Sequence, residues 1–370
     1  MEKVVYILGA GFSKPFGLPL MADFYTKSKD MCEHNPQLRE HFEDVFTEMG
    51  KIHKSSDYYE TDVFNIEDIL SILEINQHIG VGSGMRQKFE NYIKEVIRYY
   101  TPDYPEFPNN ITWGSGWPEI LFDRDKGERQ HITWTYYGFF VGSIFNLSFY
   151  QADEETITAR SGYRDSSPNA SYSLITLNYD LILEYIRDHI NKQYCHKEKI
   201  SFAECSDEKV NDSYRPGLAK LHGSVDTNII SPTWNKGVIK DDIISAWKLA
   251  YKTLVSANCL RIIGYSLPIT DTYARYLLRS TVIESFNLKQ IDVICKDDDG
   301  SVKAIYDHFI KLKFPHYRFA NAKVEDYLHE NYRLTDKDEL GHHSDHIYMD
   351  RLEQAHKRFM EEKSHKDDAQ

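Results

Sequence analysis

An apolar strand that runs straight into a glycine turn stands at the start of this 370-residue chain. Val4 to Leu8 are all apolar, and Gly9, Ala10 and Gly11 follow directly. A short β-branched run bounded by glycine predicts a central strand of a parallel sheet. The two glycines allow the backbone to turn sharply and to approach a phosphate group closely. This feature therefore predicts an α/β fold that begins with a nucleotide cradle.

The turn alone is compatible with two interpretations. The dinucleotide fingerprint Gly-x-Gly-x-x-Gly requires a third glycine, and Lys14 occupies that position. A tight strand-to-helix turn without a ligand is thus the alternative to a phosphate-binding loop. Features further along the chain have to decide between the two.

Three later apolar runs also end in polar or glycine residues. Residues 174–180 end in Asn178 and Asp180, residues 218–224 contain His222, and a third run, 259–268, contains glycine and serine. In open α/β sheets, ligands bind beyond the carboxyl ends of the strands. We therefore expect these polar residues to meet at one edge of the sheet.

The order of strands and helices predicts an α/β fold with a Rossmann-like parallel sheet. The pattern changes from strand to helix after Pro19 and returns to strand near residue 174, which predicts a large helical insertion, at about residues 25–170, between the first and second core strands. The strand at 291–295 is predicted to close the sheet. We divide the chain into a domain at 1–330 and a charged helical C-terminal tail at 331–370.

One helix of the predicted insertion has a readable start. Asn65, with Asp68 three residues later, is typical of an N-terminal cap, and apolar residues follow at helical spacing. The alternative is a functional one, in which Glu67 or Asp68 reaches the cleft at the edge of the sheet.

Composition narrows the function classes. The formal charge of −13 argues against non-specific binding of DNA or RNA, which needs basic surface. Neither a membrane-spanning run nor a signal peptide is evident, and the five cysteines are scattered without metal-ligand spacing. We expect a cytoplasmic protein with reduced thiols, no metal, no membrane and no direct nucleic-acid partner.

The motifs, taken in order, resemble those of the sirtuins. Sirtuins carry Gly-Ala-Gly-x-Ser, Gly-Ile-Pro, Gln-Asn-Ile-Asp, His-Gly and Gly-Thr-Ser, and they bind NAD between a Rossmann-type sheet and a smaller module. In this chain the corresponding segments are Gly9 to Ser13, Gly17 to Pro19, Leu177 to Asp180, His222 with Gly223, and Gly264 to Ser266.

The departures from the sirtuin pattern point away from protein deacylation. The two Cys-x-x-Cys pairs of a structural zinc site are missing, and Leu177 stands where sirtuins have glutamine. What remains resembles the divergent sirtuin-like domains of bacterial anti-phage defence, which cleave NAD to nicotinamide and ADP-ribose during abortive infection. An NAD-dependent deacylase, an ADP-ribosyl transferase and a non-catalytic sensor of NAD or ADP-ribose remain the alternatives.

The resemblance implies a role for each matching residue. Asn178 would position water or a ribose hydroxyl, His222 would act as a base, and Asp180 would accept the carboxamide N–H of nicotinamide. The cofactor-binding residues would be Gly9, Ala10, Gly11, Ser13, Pro19, Gly264 and Ser266. NAD is then the substrate. Activity would be gated by homo-oligomerisation, by a separate sensor protein of a defence system, or by both.

Overall fold

The structure is a computed structural model. It describes residues 1–55, 65–81, 84–103, 121–122, 129–151, 156–161, 170–195, 198–204, 215–229, 241–310, 316–339 and 346–367. Across these ranges, no helix combines the length and apolar character that crossing a bilayer requires.

Two sheets are formed by the described strands. The strands are β1 (Glu2–Leu8), β2 (Leu147–Gln151), β3 (Ile157–Ser161), β4 (Ala170–Thr176), β5 (Gly217–Lys220), β6 (Cys259–Ile263), β7 (Gln290–Cys295), β8 (Tyr317–Asn321) and β9 (His346–Tyr348).

Helices connect and cover these strands. They are α1 (Ala10–Ser13), α2 (Phe24–His34), α3 (Pro36–His41), α4 (Glu43–Ser55), α5 (Ile66–His78), α6 (Met85–Tyr100), α7 (Arg129–Ile144), α8 (Ile182–Gln193), α9 (Asp241–Val255), α10 (Thr272–Glu284), α11 (Ser301–Phe309), α12 (Val324–Glu339) and α13 (Leu352–Asp367). Two short 3-10 turns, Lys14–Phe16 and Met21–Asp23, follow α1.

The larger sheet has six parallel strands in the order β5-β4-β1-β6-β7-β8. This is the doubly wound order of Rossmann-type folds, in which the first strand is central and the chain reverses direction across it. Residues Val4 to Leu8 of β1 are buried on both faces, as a central strand requires. The predicted fold class is therefore confirmed.

The helical insertion lies between β1 and β4 in the chain and has an aromatic core. The ring of Tyr92 on α6 is fully buried among the rings of Phe24, Phe42 and Phe89. A second aromatic group joins α7 to the turn after β1, because Tyr137 packs on Phe12 at 4.8 Å between ring centroids. The insertion is thus anchored to the region where the sequence places the ligand.

Part of the predicted insertion is not helical. The aromatic helix α7 ends before Asn146, which has a left-handed φ of 51°, and residues 147–151 form β2. This strand pairs antiparallel with both β3 and β9, so a small second sheet joins the insertion to the C-terminal region. Aromatic density fits a helix and a buried strand equally well, and it does not mark where one ends.

The prediction that the strand at 291–295 closes the sheet was wrong. β8 pairs in parallel with β7 on its outer side, with Val293 opposite Phe319. β8 has only five residues and includes the polar side chains of Arg318 and Asn321, as is common for an edge strand that is exposed on one side. Such a strand gives little periodicity signal.

A buried polar network joins the C-terminal helix α13 to the sheet. The guanidinium group of Arg261 on β6 donates to Glu353 of α13 at 2.6 and 2.9 Å and to the hydroxyl of Tyr6 at 2.7 Å. His356, also on α13, contacts Asp292 of β7 at 2.7 Å. Burial lowers the pKa of His356 to about 4, although Asp292 acts in the opposite direction. The charged C-terminal helix therefore docks through the Arg261–Glu353 ion pair and the hydrogen bond between His356 and Asp292.

Three glycines bring the turn after β1 against the turn after β6. The N–H of Gly9 donates to Ile263 O at 3.0 Å, and that of Gly11 donates to Gly264 O at 2.8 Å. Gly264 has a left-handed φ of 63°, and a Cβ atom there would lie 2.5 Å from the backbone nitrogen of Phe12. Any side chain at Gly264 would push the two turns apart.

We predict that Gly264→Ala destabilises the fold by roughly 2–5 kcal/mol, because the methyl group meets backbone atoms and the left-handed conformation disfavours a side chain. Gly300→Ala is the matched control, since Gly300 has a φ of 81° but open space around its Cα. Gly300→Ala should lower the free energy of unfolding only by the cost of the left-handed conformation, about 1–2 kcal/mol. Equal losses in chemical denaturation would contradict the proposed packing requirement.

Candidate functional site

The polar residues that follow β1 and β4 form one hydrogen-bonded group at the carboxyl edge of the sheet. Ser13 lies at the end of α1, directly after the glycine turn, and it is 3% exposed. Its hydroxyl donates to Asp180 Oδ2 at 2.6 Å and accepts from Asn178 Nδ2 at 2.9 Å. The structure therefore brings together three residues that the sequence placed in the same site.

Asn178 is held with its amide nitrogen facing the protein. Besides Ser13, its Nδ2 donates to the backbone oxygen of Gly9 at 2.9 Å, and its backbone N–H donates to Thr176 Oγ1 at 3.0 Å. Both partners of Nδ2 act as acceptors, which fixes the orientation of the amide. No hydrogen bond from a described residue reaches Oδ1 of the half-buried Asn178. This oxygen is therefore the atom that can accept a hydrogen bond from a ligand.

Asp180 is engaged on both carboxylate oxygens. Oδ2 accepts from Ser13, while Oδ1 accepts from the backbone N–H of Ile182 at 3.1 Å, in the first turn of α8. Lys220 Nζ donates to the backbone oxygen of Asp180 at 2.5 Å and to Glu184 at 2.8 Å. These contacts attach the end of β4 to both β5 and α8.

His222 follows β5 and is 2% exposed. Its loop is fixed at Leu221, whose N–H donates to Thr176 O at 3.0 Å and whose oxygen accepts from Trp247 Nε1 at 2.9 Å. Gly223, with a φ of 77°, allows the sharp turn that follows. The imidazole ring lies 6.1 Å from the ring of Tyr179, next to Asn178 in the chain.

Asp271 is the ionic partner of His222. Its Oδ2 lies 3.5 Å from His222 Nε2 and accepts from the hydroxyl of Tyr265 at 2.7 Å, while Oδ1 accepts from Ala274 N at 3.3 Å at the start of α10. Burial raises the pKa of Asp271, but the attraction of His222 and the hydrogen bonds outweigh it, so the pKa lies below its usual range. At this distance the two side chains form an ion pair when His222 is protonated.

A second carboxyl group approaches His222 from the insertion. Asn65 caps α5, as predicted, by accepting from the N–H groups of Glu67 and Asp68 at 3.0 and 3.4 Å. Oε2 of Glu67 is buried and has no hydrogen-bond partner within the described ranges. Burial raises the pKa of Glu67 to about 7, with His222 lowering it and Asp271 raising it. The functional alternative for Glu67 thus has a structural basis.

Helix α6 holds the loop that carries His222. Lys94 Nζ and Arg98 Nη2 each donate at 2.6 Å to backbone oxygens of this loop, those of Thr227 and Val225. Glu90, which is 2% exposed, accepts from the N–H of Ile229 at 3.1 Å. The insertion therefore supplies one wall of the site and restrains its loop.

The predicted cofactor-binding residues lie around this edge in different environments. Ala10 and Ser266 are exposed, Pro19 is half-buried, and the N–H groups of Gly9 and Gly11 are used in contacts with the turn after β6. Leu267, next to Ser266, is held at a left-handed φ of 53°, which a non-glycine residue rarely adopts. Binding by these residues stays a prediction.

Two residues of this cluster were not assigned to the site from the sequence. The sequence alone marks Asp271 only as a possible helix cap, and it does cap α10 through its other oxygen. Tyr265 was part of a motif, but its hydrogen bond to Asp271 depends on the fold. Among the described residues, no group of three or more His, Cys, Asp or Glu side chains is arranged to hold a metal ion.

We predict that Glu67→Gln stabilises the protein more at pH 8 than at pH 5. The folded-state pKa of Glu67 lies near 7, above its ordinary value of 4.5. Stability from the protonated carboxyl is therefore present below pH 4.5 and is lost as the pH rises through 7. The stability gain of Glu67→Gln over the wild type should increase by about 2 kcal/mol across this window.

Urea unfolding at both pH values measures this difference. Asp44→Asn is the matched control, because the exposed Asp44 carboxyl hydrogen-bonds Lys88, which lowers its pKa below the tested window. A Glu67→Gln difference that is the same at both pH values would show that Glu67 is ionised throughout.

Comparison with known families agrees with this geometry. No curated protein matches the chain. Residues 172–304, which begin in β4 and end in α11, match the family model described as SIR2-like domain. The matched segment contains Asn178, Asp180, His222, Gly264 and Asp271. The match supports the assignment of residues 172–304 as a SIR2-like domain, and so of the chain as Sir2-like.

Proposed function

We propose that this protein is an NAD glycohydrolase that cleaves NAD to nicotinamide and ADP-ribose at the carboxyl edge of its six-stranded sheet. The SIR2-like match supports an NAD-related activity, and the doubly wound sheet supports a dinucleotide crevice at this edge. The observation that carries the proposal is the buried His222, whose Nε2 lies 3.5 Å from the carboxylate of Asp271, in the loop that follows β5 at the same sheet edge as Asn178. A buried imidazole with a carboxylate partner can serve as an acid–base group.

The reaction replaces the bond between ribose and nicotinamide by a bond between ribose and water. Asn178 Oδ1 would accept a hydrogen bond from the attacking water or from a ribose hydroxyl, because Nδ2 is already used by Ser13 and Gly9. His222 would take the proton that water loses, and the Asp271 carboxylate would stabilise the resulting imidazolium. The nicotinamide leaves as a neutral molecule.

Asp180 is proposed to orient the substrate through its remaining acceptor capacity. A carboxylate offers about four acceptor positions. The hydrogen bonds from Ser13 and from Ile182 N occupy one position on each oxygen. The carboxamide N–H of nicotinamide could then be accepted by a carboxylate whose position the protein has already fixed.

We further propose that the enzyme is a toxic effector of anti-phage defence, gated by oligomerisation or by a separate sensor protein. The support is the motif pattern, which resembles defence-associated domains and lacks the zinc cysteines of deacylases. We place the activity in the cytoplasm, in keeping with the free thiols of Cys32, Cys195, Cys259 and Cys295.

We predict that Asn178→Ala and His222→Ala each lower nicotinamide release from NAD by about 10²- to 10³-fold, the usual effect of losing one positioned group. The assay follows nicotinamide and ADP-ribose by chromatography, with and without lysate from phage-infected cells. Asn191→Ala and His189→Ala are matched controls, because they remove the same side chains from hydrogen-bonded positions on α8, where His189 is buried and Asn191 is half-buried.

Both control variants should keep the wild-type rate wherever they remain folded. Full nicotinamide release by Asn178→Ala or His222→Ala would contradict the assigned roles. Release that occurs only with an acylated peptide would instead identify a deacylase. If the wild type fails even to bind NAD in calorimetry, the whole assignment is wrong.

A further inference from the structure

Resting on the proposed NAD cleavage, we propose that Glu67 is a positioning residue of this site, through which the helical insertion sets the proton occupancy of His222. Its carboxyl group belongs to α5, outside the matched segment 172–304. The inference thus assigns part of the chemistry to the inserted region.

The location of Glu67 is fixed by the capping of α5. Asn65 satisfies the N–H groups at the start of the helix, so the carboxyl group of Glu67 is not needed as a cap. The packing leaves Oε2 buried, and the carboxyl group interacts electrostatically with His222 and Asp271. The same carboxyl group also acts electrostatically on the hydroxyls of Tyr179 and Tyr265. One carboxyl group from the insertion therefore interacts electrostatically with four groups, which come from three strand ends and the start of α10.

A structural explanation of this burial is weak. A buried carboxyl group that stabilises a fold normally has hydrogen-bond donors or a close cation that compensate for lost solvation. Within the described part of the chain, Oε2 has no such donor. An exposed side chain or an apolar residue would serve α5 better, so the placement beside His222 calls for a functional reason.

The chemistry of such a placement follows from the charges. Ionisable groups at the site are Asp68 on α5, Glu90 on α6, Tyr179 after β4, His222 after β5, Tyr265 after β6 and Asp271 at α10. Burial raises the pKa of Tyr179 and of Tyr265 well above the ordinary value, so both hydroxyls stay protonated. Of the groups that act on Glu67, His222 is the one that favours the ionised carboxylate. The protonation of two interacting groups is coupled, so each changes the proton affinity of the other.

In the proposed reaction, the water O–H bond breaks and its proton goes to His222, while the water oxygen bonds to the ribose carbon that releases nicotinamide. An ionised Glu67 stabilises the imidazolium so formed and makes His222 the stronger base. A protonated Glu67 removes this assistance. The insertion would thereby adjust the reaction without touching the substrate.

The first test titrates His222 directly by NMR of ring-labelled histidine in the full chain, with His222→Gln identifying the resonance. In Glu67→Gln, loss of the negative charge should lower the pKa of His222 by about one unit. Glu67→Asp, which keeps the charge, should restore at least half of the shift. Asp44→Asn, on the far helix α4 of the insertion, should leave the titration unchanged. An unchanged His222 titration in Glu67→Gln overturns the proposal.

The second test measures nicotinamide release between pH 5 and 9. Glu67→Gln should lower kcat about tenfold at neutral pH, leave KM within twofold, and move the acidic limb of the profile to lower pH by the shift seen in NMR. An acidic limb that does not move contradicts the proposal. If the wild type neither releases nicotinamide nor binds NAD, the proposed function fails, while the NMR titration still decides the role of Glu67.

Discussion

The close backbone contact between the turns after β1 and β6 determines the geometry of the whole carboxyl edge. Gly9 and Gly11 donate to the end of β6, and Gly264 in turn donates to Ile294 O of β7 at 2.9 Å. These bonds extend the sheet ladder beyond its last regular residue and join three neighbouring strands. The contact leaves no space for a Cβ atom, so the glycines that resemble a phosphate cradle also hold the two turns together. Both roles require the same residue type, which is why the sequence alone could not separate them.

The positions of the polar site residues depend on this contact between the two turns. Ser13 follows the turn after β1, and its hydroxyl links this turn to Asn178 and Asp180 at the end of β4. Because Asn178 also bonds Gly9 O, the orientation of its amide depends on the turn and not only on its own strand. His222 is held by the β4–β5 register, through the N–H of Leu221 on Thr176 O, and by α6 of the insertion. Thr176 therefore supports both Asn178 and His222, because its hydroxyl accepts from the N–H of Asn178.

The sequence predicts those parts of the fold that repeat a local pattern. Apolar runs revealed β1, β4, β5, β6 and β7, and their polar ends correctly indicated a shared edge. β8 escaped because a short, half-polar edge strand has no distinct period, and β2 escaped because its aromatic residues continue those of α7. Asp271 was visible only as a helix cap, since its contact with His222 joins residues 49 positions apart. The burial of Glu67 depends on how the insertion packs, which no local pattern encodes.

The insertion therefore does more than enlarge the core. Its aromatic centre binds α6 tightly to α2, and α6 restrains the His222 loop through Lys94, Arg98 and Glu90. This tight packing allows α5 to bury the carboxyl group of Glu67, whose ionised form is disfavoured there. A loosely packed insertion would relax and let Glu67 reach solvent, because one uncompensated charge outweighs a few weak contacts. The strain at Glu67 and the restraint on the His222 loop are consequently two results of the same packing, so a partner that shifted α6 would alter both together.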